Sequence, residues 1–92
     1  MRPLRECWTA HADAETALRT WYSDARRADW KSPEEIKAIY PNASILNRSR
    51  VVFNIRGNRY QLIASINYEF GVVYIRFVGT HAEYDRIDAA TL

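Results

Sequence analysis

Apolar side chains recur at helical spacing over roughly the first forty residues and alternate after Pro41, so the pattern splits the chain into a helical part and a sheet part. Arg5 to His11 reads as a short helix, with Pro3 suited to its first turn. Asp13 stands as an N-cap before Ala14, Ala17, Leu18, Trp21, Tyr22, Ala25 and Ala28, which predicts a long amphipathic helix to about Ala28. Ser32-Pro33-Glu34-Glu35 has the form of a capping box with proline at the first helical position. The third helix carries Ile36 and Ile39 and should stop before Pro41.

Beyond Pro41 the alternation predicts strands over Val51–Arg56 and Tyr60–Tyr68, joined at Gly57-Asn58, and a third over Val72–Val78 entered through a tight turn at Phe70-Gly71. Thr80 and Glu83 make a second capping box for a last helical turn. Two-residue loops at both turns fix a register. Ile55 then faces Tyr60, Phe53 faces Leu62 and Val51 faces Ala64; Tyr68 faces Val73, Ile66 faces Ile75 and Ala64 faces Phe77. One sheet face becomes Val51, Phe53, Ile55, Tyr60, Leu62, Ala64, Ile66, Tyr68, Val73, Ile75 and Phe77, a core face for the helix bearing Leu18 and Trp21.

The other face carries Arg48, Arg50, Asn54, Arg56, Arg59, Gln61, Ser65, Asn67, Tyr74 and Arg76, with Val52, Ile63 and Val78 among them. The same register sets Arg50, Ser65 and Arg76 in one row, beside Arg48, Asn67 and Tyr74. Charge sharpens this picture. Residues 1–42 hold seven basic and seven acidic side chains, whereas residues 43–82 hold five arginines against Glu69 alone. The net charge of +2 therefore hides a cationic middle made entirely of arginine, whose planar fork binds phosphate and stacks on bases. Two guanidinium groups flanking a serine hydroxyl suit an anion. A solvated face that merely resists edge pairing would show the same asymmetry.

Composition excludes several classes. Ninety-two residues make one domain, which buries only ~60–65% of its unfolded surface. The single cysteine, Cys7, rules out an internal disulfide and a cysteine-based zinc site. Two distant histidines and no carboxylate cluster on the arginine face offer no metal site, and no cofactor is expected. No uncharged stretch approaches the ~20 apolar residues a membrane span needs, and the start lacks the apolar run of a signal peptide. A cytoplasmic, reducing setting is expected.

The segments Ser44-Ile45-Leu46, Arg50 to Tyr60 and Val73 to Asp85, which ends Thr80-His81-Ala82-Glu83-Tyr84-Asp85, resemble the HigB toxin family. Trp21-Tyr22 and the run Ala28 to Lys37 are similar to that family as well, so the likeness covers nearly the whole chain. It implies a single domain, 1–92, with an α+β, RelE-like fold: N-terminal helices packed on one face of a three- to four-stranded antiparallel sheet, with a short C-terminal helix. It also implies a toxin of a type II toxin–antitoxin module, an endoribonuclease (mRNA interferase) that cleaves messenger RNA on the ribosome and is neutralised by a HigA-type helix-turn-helix antitoxin. Members of the family usually begin with a further strand before the segment matching Arg2-Pro3-Leu4-Arg5, where this chain starts; the sheet could lack an edge strand, or the start could be assigned late. A non-catalytic RNA- or ribosome-binding module is the alternative.

RNA brings its own nucleophile, so such an enzyme must deprotonate the 2′-hydroxyl, stabilise charge at phosphorus and protonate the leaving oxygen. Arg76, mid-face, is the candidate for charge stabilisation. The resemblance points to His81 and Tyr84, just past the last strand, for the proton transfers, with Asp85 able to orient His81 or to cap a helix. His81 in a first helical turn and Tyr84 as a core contact are the plainer alternatives. Arg48, Arg50, Asn54, Arg56 and Arg59 are the candidate RNA-binding residues, with Tyr74 placed to stack on a base. Trp8, Trp21 and Trp30 are expected in the core and His11 on the surface.

Overall fold

The computed structural model describes residues 2–28, 30–46, 49–57 and 59–87. Helices α1 (Arg2–Ala10), α2 (Glu15–Arg27) and α3 (Pro33–Ile39) come first. The strands β1 (Ser44–Ile45), β2 (Arg50–Ile55), β3 (Tyr60–Asn67) and β4 (Val72–Thr80) form one antiparallel sheet in that spatial order, and α4 (His81–Tyr84) follows. This is the expected α+β arrangement, with β1 as a fourth, very short strand. No helix among the described residues is long and apolar enough to cross a membrane.

Three helix starts behave differently. Thr80 and Glu83 complete the capping box, the Glu83 carboxylate accepting from the Thr80 N–H at 2.9 Å and the Thr80 hydroxyl accepting from the Glu83 N–H at 3.2 Å. The Thr80 N–H, and after it the Thr80 hydroxyl donating to the same carboxylate oxygen at 3.0 Å, hold the Glu83 carboxyl below its ordinary range. Ser32 sits at the N-cap of α3, with Pro33 at its first position, but its side chain makes no capping bond. Asp13 is not the cap of α2: it lies in a 3-10 turn over Ala12–Ala14, and its carboxylate is taken by groups on the sheet.

The helices cover one face of the sheet. Leu4, Trp8, Leu18, Trp21, Trp30 and Ile36 pack on Val51, Phe53, Ile55, Leu62, Ala64 and Ile66, all buried. Phe53 sits at the centre, with ring centroids of Trp21, Tyr40 and Trp30 at 5.3, 5.3 and 5.9 Å. Tyr40 is itself pinned, its hydroxyl donating to Asp24 at 2.5 Å, and burial followed by that bond pushes the phenol well above its ordinary range. His11 is less exposed than expected, its ring centroid 5.4 Å from that of Tyr60.

The β2–β3 register is the expected one: Ile55 faces Tyr60, Phe53 faces Leu62, Val51 faces Ala64 and Arg50 faces Ser65. The β3–β4 register differs. The turn occupies four residues, Tyr68 to Gly71, because the Asn67 side chain accepts from both the Glu69 and Phe70 N–H groups at 3.1 Å and Gly71 takes a positive φ of 67°. Ile66 therefore faces Val73, Ser65 faces Tyr74 and Ala64 faces Ile75, a slip of two that preserves the alternation. At Arg76 a bulge adds one residue to β4, and the alternation inverts beyond it, with Ile63 facing Phe77 and Leu62 facing Val78. Phe77, expected in the main core, joins Val52 and Ile63 on the opposite face, and Val78, expected outside, turns to the helices.

Candidate active site

The face left open by the helices has three zones. Arg50, Ser65 and Tyr74 form a cross-strand row over β2, β3 and β4 in the first zone. Arg76, expected to complete that row, is instead the bulged residue beside it, and its guanidinium lies 5.7 Å from the Tyr74 ring centroid. Ser49, Ser65, Asn67, Glu69, Tyr74 and Arg76 line an open groove here. Tyr74 is 52% exposed, so its ring is open to a further stacking partner.

The second zone is apolar. Val52 and Ile63, expected on this face among its polar residues, are buried beneath Phe77, Tyr84 and Ile87. Tyr84 is partly buried there, which fits its plainer reading as a packing contact that keeps an edge toward solvent. This strip also ties α4 to the sheet, since a four-residue helix is too short to stand by itself.

The third zone gathers around His81. Its Nδ1 lies 3.1 Å from the Gln61 Oε1 atom, its Nε2 lies 3.6 Å from an Asp85 carboxylate oxygen one turn along, and its ring stacks near Tyr84 with centroids 6.4 Å apart. Behind Gln61, the side-chain amide of Asn54 donates to the Asn42 carbonyl at 3.1 Å and accepts from Gln61 Nε2 at 3.0 Å. Asn54 is thus committed to neighbours within the protein. The His81 and Asp85 side chains are about half exposed, while Gln61 is 2% exposed.

Arg56 and Arg59 lie apart, at the β2–β3 hairpin tip. Arg56 pairs with Asp13, Arg59 reaches the same carboxylate at 3.4 Å, and the Tyr60 hydroxyl donates to its other oxygen at 2.5 Å. The Tyr60 bond, followed by the two guanidinium groups, holds the Asp13 carboxyl below its ordinary range, and the same bond pushes the Tyr60 phenol up. Arg56 adopts a positive φ of 53°, a conformation that a non-glycine residue enters only in a tight turn. Two cations over one carboxylate leave the tip with net positive charge.

The structure thus brings Arg50, Tyr74 and Arg76 together, and separately His81, Tyr84 and Asp85, with Asn54 supporting the second group. Arg48 lies outside the described residues. Sequence reasoning placed Gln61 on this face without a role, although its pairing with Asn54 was readable from the hairpin register. Asp13 was missed as the partner of Arg56 and Arg59 because nothing local links positions more than forty residues apart. Among the described residues no three histidine, cysteine or acidic side chains gather as a metal site.

Helices on one face of an antiparallel sheet, with candidate groups on the open face, make this a RelE-like α+β domain. Residues 14–87 match the family of HigB toxins, RelE-like toxic components of toxin–antitoxin systems, and the chain belongs to that family. The mRNA interferase HigB of Escherichia coli O6:H1 is 29% identical over 87 residues, covering 92% of this chain and 84% of that protein. The mRNA interferase toxin HigB of Escherichia coli strain K12 is 31% identical over 87 residues, covering 91% of this chain and 83% of its own length.

Proposed function

We propose that this HigB-family toxin is an endoribonuclease that cuts messenger RNA on translating ribosomes in the cytoplasm, and that a HigA-type helix-turn-helix antitoxin neutralises it. The observation that carries this reading is the open face itself, with Arg76 against Tyr74 at one end and His81 between Gln61 and Asp85 at the other. Its relatives' name, mRNA interferase, supports the same substrate.

Cleavage proceeds by metal-independent attack of the RNA 2′-hydroxyl on the adjacent phosphorus. His81 takes the hydroxyl proton through Nε2, and Asp85 faces the imidazolium that results. Arg76, exposed at the other end of the face, would have to reach past the apolar strip to stabilise the charge developing on the phosphoryl oxygens, and Tyr84, which packs in that strip, is the candidate donor to the leaving 5′-oxygen. Tyr74 stacks on a base and Arg50 holds a phosphate, while Asn54 supports the site from behind Gln61. Arg56, Arg59 and Arg48 contribute attraction for the backbone, which positions RNA without reading its sequence.

The test is induction of the toxin with and without a co-expressed antitoxin, followed by mapping of messenger RNA ends, with purified toxin assayed on free and ribosome-bound RNA. Growth arrest with new internal 5′ ends, relieved by the antitoxin and by Arg76→Ala, is the expected result. RNA that is bound but never cut would mark the chain as a binding module. Full toxicity of Arg76→Ala would remove that residue from the site.

A further inference from the structure

We propose that Gln61 is a positioning residue that fixes which ring nitrogen of His81 carries the proton, leaving Nε2 free as the basic atom. Gln61 does so as the last link of a polar chain whose direction is set by the backbone. The Asn42 carbonyl oxygen can only accept a hydrogen bond, so the Asn54 amide must turn its Nδ2 toward it, at 3.1 Å. The Asn54 Oδ1 atom then faces Gln61, which must donate through Nε2 at 3.0 Å. That leaves the Gln61 Oε1 atom facing His81 Nδ1 at 3.1 Å.

An amide oxygen only accepts, so Nδ1 must bear the hydrogen, and in the neutral ring the lone pair falls on Nε2. Reversing either amide would set oxygen against oxygen at one of the three contacts. Gln61 is 2% exposed, which denies it the water that would tolerate a reversal at the surface. The hairpin register makes the link possible, since Asn54 and Gln61 are direct cross-strand neighbours. α4 supplies the other end, because its capping box at Thr80 holds His81 at the first helical position.

The outcome runs against the intrinsic preference of the side chain, since an unconstrained neutral histidine favours hydrogen on Nε2. Nε2 faces the Asp85 side at 3.6 Å, too long for a direct bond, and the His81 side chain is about half exposed, so solvent or substrate can approach the ring. The consequence for catalysis rests on the proposed role of His81 as base; the tautomer itself does not.

Long-range nitrogen–proton correlation NMR on the isolated, uniformly labelled toxin, above the pH at which the ring titrates, reads the tautomer directly. His11→Gln distinguishes the two histidines. We expect His81 with a protonated Nδ1 and a pyridine-like Nε2 in the wild type, and a swing toward protonated Nε2 in Gln61→Leu. A wild-type ring with hydrogen mainly on Nε2 would overturn the proposal even if no variant folded, as would a folded Gln61→Leu protein with the tautomer unchanged. RNA cleavage by His81→Ala at the wild-type rate, with the tautomer as expected, would instead remove His81 from catalysis and leave its positioning by Gln61 intact.

Discussion

Replacing Phe53 tests the account of how the helices are held to the sheet. The ring is fully buried and meets Trp21 of α2 edge-on, Trp30 in a near-parallel stack and Tyr40 edge-on, with centroids within 6 Å. Phe53→Leu keeps most of the apolar area and loses three aromatic pairs, each worth about 0.5–1.5 kcal/mol beyond burial, so a loss of roughly 2–3 kcal/mol is expected. Phe53→Ala adds an unfilled cavity and should cost about 4–5 kcal/mol, the upper part of the range for such truncations. A domain of 92 residues has a total stability of about 5–14 kcal/mol, so the alanine variant should sit close to unfolding at 37 °C. At about 4–8 °C per kcal/mol, the leucine variant should melt roughly 8–24 °C below wild type. Urea unfolding followed by tryptophan fluorescence, with circular dichroism melts, gives both numbers. A leucine variant within about 3 °C of wild type would refute the claim that the aromatic cluster holds the layers together.

Three further expectations concern the open face and its surroundings. Arg76→Ala should lower RNA cleavage by about 10²–10³-fold, as for loss of one preorganised donor; its melting temperature should stay near wild type, because the side chain is exposed. Gly79→Ala would set a methyl group 2.8 Å from the Phe77 ring and 2.9 Å from the Glu83 carboxylate. Displacing either should cost about 1–3 kcal/mol, and an unchanged denaturation midpoint would show that the apolar strip yields freely. Asp13 is held below its ordinary range, first by Tyr60 and then by Arg56 and Arg59, so its contribution is complete above about pH 5 and disappears as pH falls through the lowered value. The gap in urea midpoint between wild type and Asp13→Asn should therefore stay constant from neutral pH to about pH 5 and close toward pH 2; a gap that widens on acidification would contradict the assigned pairing.

Much of the fold was legible in the sequence because the period of apolar residues changes once, at Pro41, and because Gly57-Asn58 fixed the β2–β3 register. The β3–β4 register was not, for two physical reasons. Asn67 builds its own turn with side-chain hydrogen bonds, which lengthens the loop beyond the two residues that Phe70-Gly71 suggests. The bulge at Arg76 has no composition of its own: an extra residue in a strand reads as one more strand residue until its neighbours are seen to change sides. Of the candidate site, the arginine-bearing face was visible as charge against alternation. Val52 and Ile63 were visible on it too, but the apolar strip that they form with Phe77 and Tyr84 was not, since the bulge is what brings Phe77 there. Asp13 looked like a helix cap because that is the local use of an aspartate before an amphipathic run; the competing partners lie far along the chain.

The bulge at Arg76 also bears on how this chain can change over time. Residues before it in β4 follow one phase and residues after it the other, so the position separates two independently registered halves of a single strand. A change in the kind of residue at 76 touches neither half, and losing that residue would close the bulge while leaving Ile75 opposite Ala64, Phe77 opposite Ile63 and Val78 opposite Leu62. The position is therefore lenient in number as well as in identity, because no pairing on either side of it depends on the extra residue. A residue released from packing in this way is one whose side chain is open to selection for chemistry alone.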